Sequence, residues 1–332
     1  MKKLINDPNA TALEAIEGLA LAHPQILRKL DGVQAVVRCD APVRGKVAVL
    51  TGGGSGHEPM FAGYVGKGLA HGSVAGHVFA SPPPPPIVRA ARAIHAGRGV
   101  LFLYGNYSGD VLNFDAAAEE LAADGIQVNT VRICDDVSSA PADRRLERRG
   151  VAGDLFIIKS ACAAAEEGLD LAVVTAAAEK ANANARSMSV ALSSCIIPAS
   201  GKLIFDLPAN QMEIGMGLHG EPGVQRGPMA SANEVAAQLV RRILDDMPLP
   251  AGAEVAALVN GMGATPLCEL YIIFRGVRQV LDKAGVRIHR AYVGNYATSL
   301  DMAGCSLTLM RLDADLKRWV CAPCEGPALV QR

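Results

Sequence analysis

Lys46-Val47-Ala48-Val49-Leu50-Thr51 runs straight into Gly52-Gly53-Gly54-Ser55-Gly56-His57-Glu58-Pro59. Six residues rich in valine and leucine read as a short buried strand. The glycines end it abruptly, in a loop where backbone N–H groups can face a ligand without obstruction from Cβ atoms. Gly99 to Tyr104 repeats the pattern: an apolar run, then Gly105-Asn106-Tyr107-Ser108-Gly109-Asp110, then a helical stretch from Val111. Ile126 to Cys134 alternates as a strand does, and an Arg- and Asp-rich loop follows it to about Gly150. Apolar strands alternating with helices predict an α/β fold with mixed, largely parallel sheets flanked by helices.

Outward from that centre, Thr11-Ala12-Leu13-Glu14 fits a capping box opening a helix that runs to His23-Pro24, with Leu13, Ile16, Leu19 and Leu21 as a rough apolar stripe. Ser81 and the five prolines Pro82 to Pro86 predict a stiff, extended turn ahead of a helix over Ile87–Ile94. The second half starts a similar programme. Met188 to Ile197 is strand-like, and Glu213 to Leu218 leads into Gly217-Leu218-His219-Gly220-Glu221-Pro222-Gly223. Residues 240–253, with Pro248, Pro250 and Gly252, read as a linker or surface loop. Glu254 to Asn260 and Val286 to Val293 are strand candidates, with a helix between them from about Pro266. Two α/β domains are expected, 1–185 and 186–332.

Composition excludes several classes of function. The chain has 332 residues, half of them hydrophobic, with 32 basic and 33 acidic side chains and a net charge of −1. Such a balance gives no electrostatic attraction to nucleic acid or to an anionic membrane. No apolar run is long enough to span a bilayer. The first residues turn polar before a signal peptide could form, and the eight cysteines are scattered. A cytoplasmic location is therefore expected. Cys321 and Cys324 have C-x-x-C spacing, but no second pair completes a zinc tetrahedron, and they read as incidental thiols. No metal site is expected.

Ligands of open α/β sheets bind beyond the carboxyl ends of strands. The loops around Gly54, Ser55, Gly56 and His57, around Gly105 and Asp110, and around His219 all follow strand candidates. Two histidines and an aspartate so placed can act as base, orienting acid and nucleophile. A dinucleotide fingerprint is excluded, because Pro59 stands where G-x-G-x-x-G counted from Gly54 needs its last glycine. A Walker loop is also absent. The residues alone thus indicate a polar-ligand site built on His and Asp.

The whole chain resembles the substrate-binding subunit of dihydroxyacetone kinases. The resemblance is carried by Lys2-Lys3-Leu4-Ile5-Asn6, Ala41-Pro42 ahead of Gly45-Lys46-Val47, Gly52 to Met60, and Asn106 to Asp110. It continues in Asp135-Asp136-Val137, Arg148 to Ala152, Met216 to Gly223, Gly263-Ala264-Thr265-Pro266 and Thr298 to Met302. It implies that His219 captures a ketone covalently as a hemiaminal, that His57 and Asp110 are an acid/base pair, and that Gly54 to His57 form a backbone ligand loop. Such a bond forms with a ketone and not with glycerol, so substrates of nearly equal shape are separated by reactivity. The resemblance also implies a homodimer and a separate L-type subunit carrying the nucleotide, ATP or ADP with Mg, because this chain is too short for a fused nucleotide domain. A phosphotransferase-system phosphocarrier is the other candidate phosphoryl source. No cofactor is expected on this chain itself.

Two departures bear on substrate. Gly105 stands where well-known relatives carry a ligand-facing lysine, which opens space for a four-carbon ketose such as erythrulose. The proline run replaces a Ser-Pro-x-Pro-Asp-like turn. Between Gly223 and Glu254 the chain looks shorter than those relatives, which trims a surface loop. A non-catalytic ketone sensor acting with a transcriptional regulator would keep His219 and be free to lose the acid/base pair; here both His57 and Asp110 are present.

Overall fold

The computed structural model describes residues 2–332. The chain opens with α1 (Thr11–Ala22), β1 (Leu27–Lys29), β2 (Ala35–Arg38), β3 (Ala48–Ser55) and β4 (Gly72–Val78). It continues with α2 (Pro84–Ile94), β5 (Val100–Gly105), α3 (Ser108–Ala123), β6 (Val128–Ile133), α4 (Asp154–Glu166) and α5 (Leu171–Asn184). These strands form one sheet in the order β1-β2-β4-β3-β5-β6. Its centre is parallel: β3 pairs with β4 and β5, and β5 with β6. Every residue of β5 is buried, as expected of a strand covered by helices on both faces.

The chain enters the second sheet directly from α5, through β7 (Ala185–Ala191), β8 (Gln211–Ile214) and β9 (Gln225–Pro228). Then come α6 (Ala232–Asp246), β10 (Glu254–Gly261), α7 (Leu267–Lys283), β11 (Arg287–Asn295) and β12 (Gly304–Arg311). The order is β11-β10-β12-β7-β8-β9, with β10–β11 parallel and the remaining neighbours antiparallel. Parallel pairing is thus concentrated in the first sheet. Helix α7 buries Leu270, Ile273, Val277 and Leu281, the three-and-four spacing of an amphipathic helix. Finally α8 (Ala314–Cys321), β13 (Cys324–Glu325) and β14 (Val330–Gln331) return to the first half. One apolar core runs from Ile16 through Leu101 and Phe156 to Leu258 and Trp319, joining both halves.

Several local expectations change. The strand from Lys46 does not stop at the glycines: β3 continues through them to Ser55. Neighbours press so closely there that a Cβ on Gly52 would lie 2.6 Å from the Val74 carbonyl and one on Gly53 2.3 Å from the Phe61 ring. The glycines are therefore required by packing within the sheet. Helix α1 forms without the capping box, because Thr11 is its first residue and its hydroxyl donates to the Pro8 carbonyl. Only Pro82 and Pro83 precede α2. Pro84 to Pro86 are its first turn, where a missing N–H costs nothing. Residues 240–246 are not linker but the end of α6, whose Val240 and Ile243 are fully buried. That helix starts from a capping box of Ser231 and Glu234.

Candidate functional site

The carboxyl ends of β3 and β5 and the loop after β8 converge on one small cavity. It is lined by Gly54, His57, Gly105, Asp110 and His219, and also by Tyr107. Two of the expected site residues are elsewhere. Because β3 continues through Ser55, that side chain turns aside and its hydroxyl donates to the Gly76 carbonyl. The Gly56 N–H is held by both oxygens of Glu58, and the Gly56 carbonyl accepts from the Leu300 N–H. Neither residue lines this cavity. Ser55 instead borders a separate cavity of about 580 Å³ under α1, which shares Gly53, Gly54, Met60 and Phe61 with the histidine site.

The imidazoles meet edge to face, with Nε2 of His57 2.9 Å from Nε2 of His219. On its other side His57 places Nδ1 2.7 Å from the Thr298 carbonyl. His219 places Nδ1 3.2 Å from Oε1 of Glu221, and its backbone N–H donates to Oε2 of the same carboxylate. Arg149 lies 3.6 Å behind Glu221 and is itself held by Asp136 at 2.7 Å. The Phe79 ring stacks on His57, and the Tyr107 ring stands edge-on to His219 at 4.8 Å. Aromatic walls exclude water and limit how either imidazole can turn.

This environment sets the charges. Burial, and then the charge of His219, pushes His57 down to about 3, so its imidazole is neutral at physiological pH. Burial pushes Asp110 up to about 6, against smaller downward pulls from the Ser81 hydroxyl and from His219. At Glu221 burial acts upward but is outweighed by the hydrogen bond and charge of His219 and by Arg149, which hold it down to about 2. Buried Oδ1 of Asp110 and the buried Tyr107 hydroxyl have no hydrogen-bond partner. Both belong to residues lining the cavity, and unpaired buried polar atoms of this kind suit the hydroxyls of a polar ligand.

Glu221, Arg149 and Tyr107 were not assigned roles from sequence. Glu221 could have been found two residues beyond His219, as an acid within reach of the ring. Arg149 lies far from His219 in sequence, and only the fold shows their connection. Gly105 does not face empty space: a Cβ there would lie 3.2 Å from the Tyr107 ring and 3.4 Å from the Gly150 carbonyl. The Cys321 thiol is 3.3 Å from His289 Nε2 at the surface, while Cys324 is buried. Among the described residues no cluster of three or more metal-ligating side chains occurs.

Residues 17–328 match the family model described as the Dak1 domain. The chain is 46% identical, over 98% of both chains, to the dihydroxyacetone-binding subunit DhaK of PTS-dependent dihydroxyacetone kinase 2 of Listeria innocua. It is 44% identical to an L-erythrulose kinase of Pectobacterium atrosepticum, covering 99% of this chain and 56% of that longer one. The solved structure of the dihydroxyacetone kinase operon co-activator Dha-DhaQ superposes with a TM-score of 0.90 at 31% identity, covering 96% of this chain and 98% of that one.

Proposed function

From the premise that the chain belongs to the Dak1 domain family, we propose that it is the ketose-capturing subunit of a dihydroxyacetone kinase. The observation that carries this reading is His219, whose Nε2 is presented to a cavity also lined by His57 and Asp110. Nε2 attacks the ketone carbon and forms a hemiaminal, which anchors dihydroxyacetone and aims its terminal hydroxyl. Asp110 Oδ1 and the Tyr107 hydroxyl supply the partners for substrate hydroxyls that the protein leaves open. His57 accepts the proton of the hydroxyl that attacks phosphorus, and Asp110 orients or shares that proton. Glycerol has no carbonyl and cannot be captured.

A nucleotide with Mg, carried by an L-type partner subunit, supplies the phosphoryl group and neutralises its charge. A phosphotransferase-system phosphocarrier is the alternative phosphoryl source, in keeping with the relative from Listeria innocua that is named PTS-dependent. A cytoplasmic homodimer is part of this proposal; among the described residues no helix is long and apolar enough to cross a membrane. A second reading, phosphorylation of a four-carbon ketose, is favoured by the similarity to L-erythrulose kinase. The co-activator resemblance supports a third, ketone sensing without transfer. Retention of His57 and Asp110 favours the enzyme.

Native mass spectrometry of wild type and His219→Ala with dihydroxyacetone, erythrulose and glycerol tests this reading. A ketose adduct is expected on wild type alone, never with glycerol, and the better-occupied ketose identifies the chain length. Equal capture by His219→Ala would overturn covalent capture at this residue. Adduct formation without turnover when an L-type partner is added would favour the sensor.

A further inference from the structure

Proton accounting at the paired histidines goes beyond the capture reading, on which its chemical step rests. The Thr298 carbonyl can only accept a hydrogen bond, so Nδ1 of His57, 2.7 Å away, carries a hydrogen. The ionised Glu221 carboxylate also only accepts, so Nδ1 of His219 carries one too. If both rings were neutral, each Nε2 would then be a bare lone pair, facing the other at 2.9 Å. Two acceptors at that distance repel, whereas one proton between them makes an ordinary hydrogen bond.

We infer that the free site holds one additional proton between His57 and His219, with Glu221 as its counter-charge and positioning residue. The other groups facing His219 cannot substitute for that proton. Tyr107 presents its ring edge, Phe79 is apolar, Asp110 is an acid, and Arg149 reaches the site through Glu221. The proton lies on the line between the two Nε2 atoms, and it masks the nucleophile until it is drawn to the His57 side.

The capture step then balances without solvent. The Nε2 lone pair of His219 bonds to the carbonyl carbon, the π pair moves to oxygen, and that oxygen takes the proton from Nε2 of His57. The product is a neutral alcohol on an N-alkylated imidazolium, still hydrogen-bonded through Nδ1 to Glu221. One positive charge lies opposite Glu221 before and after the step. Glu221 thus keeps the tautomer that leaves Nε2 reactive, and it stabilises the adduct as an ion pair.

Nitrogen-15 NMR of histidine-labelled wild type, free of ketose at neutral pH, tests this directly. One ring of the pair should show two protonated nitrogens; two neutral rings would overturn the inference. A doubly protonated ring without any ketose adduct would instead sink the capture reading and leave this one standing. Glu221→Gln, with circular dichroism verifying its fold, should cut adduct occupancy at neutral pH about tenfold and move the high-pH limb of capture down by about one pH unit. An unchanged pH profile in that variant would show that Glu221 does not hold the proton.

Discussion

Burial acts on His57 and Asp110 in opposite directions because each is driven toward its neutral form. His57 falls to about 3 and Asp110 rises to about 6. If Asp110 must be ionised to orient or share the substrate proton, turnover should fall as pH drops through about 6, where the carboxylate takes up its proton. Asp110→Asn should lose that acid limb and lower kcat by about 100-fold, within the range of general acid–base effects. A kcat profile over pH 5–8 checks this, and an acid limb that persists in the variant would assign it to another group. At this scale the sequence put His57, Asp110 and His219 in glycine-bounded segments after strands, and the structure brings all three to one cavity, Asp110 from the first turn of α3. Ser55 belongs to the same motif but was misplaced. The strand carries it past the cavity, and its hydroxyl is used by Gly76.

Strand β3 shows how an element can carry both sheet and site. Its glycines look like a loop in sequence, since glycine is a poor strand former. They remain in the strand because β4 and the Phe61 ring leave no room for side chains. Gly53→Ala should therefore destabilise the protein by about 1–3 kcal/mol, the usual cost of overpacking. It should also disturb the cavity wall that Gly53 and Phe61 share. Thermal unfolding measures the first effect, and an unchanged melting temperature would mean that Phe61 moves aside freely. Helix α6 was missed in part for the converse reason: the turn signals at Pro248, Pro250 and Gly252 lie just after it and were read backward into its last turns. Its start is set by the capping box of Ser231 and Glu234, three residues apart, a sequence signal that was overlooked.

Across the whole molecule, the halves are tied by contacts that neither half specifies alone. Asp246, at the end of α6, accepts from Arg148 at 2.5 and 2.9 Å and from Arg186 at 2.5 Å. Arg148 is 1% exposed and sits on the loop that leads to Arg149. Asp246→Ala would strand two buried guanidinium groups, at a cost of about 3–5 kcal/mol. A large loss in chemical denaturation is expected, and a loss under about 1 kcal/mol would show that the arginines find other partners. Lys159, buried in α4, donates to the carbonyls of Trp319 and Ala322 and so fixes the returning C-terminal segment. By itself the sequence determined the α/β class, most strands and the placement of His57, Asp110 and His219 at strand ends, because hydrophobic period and glycine placement act locally. It could not determine that Ser55 leaves the site, that β3 runs through its glycines, or that Glu221 and Arg149 stand behind His219. Those outcomes depend on close contacts between segments far apart in the chain, and only tertiary packing brings such segments within hydrogen-bonding distance.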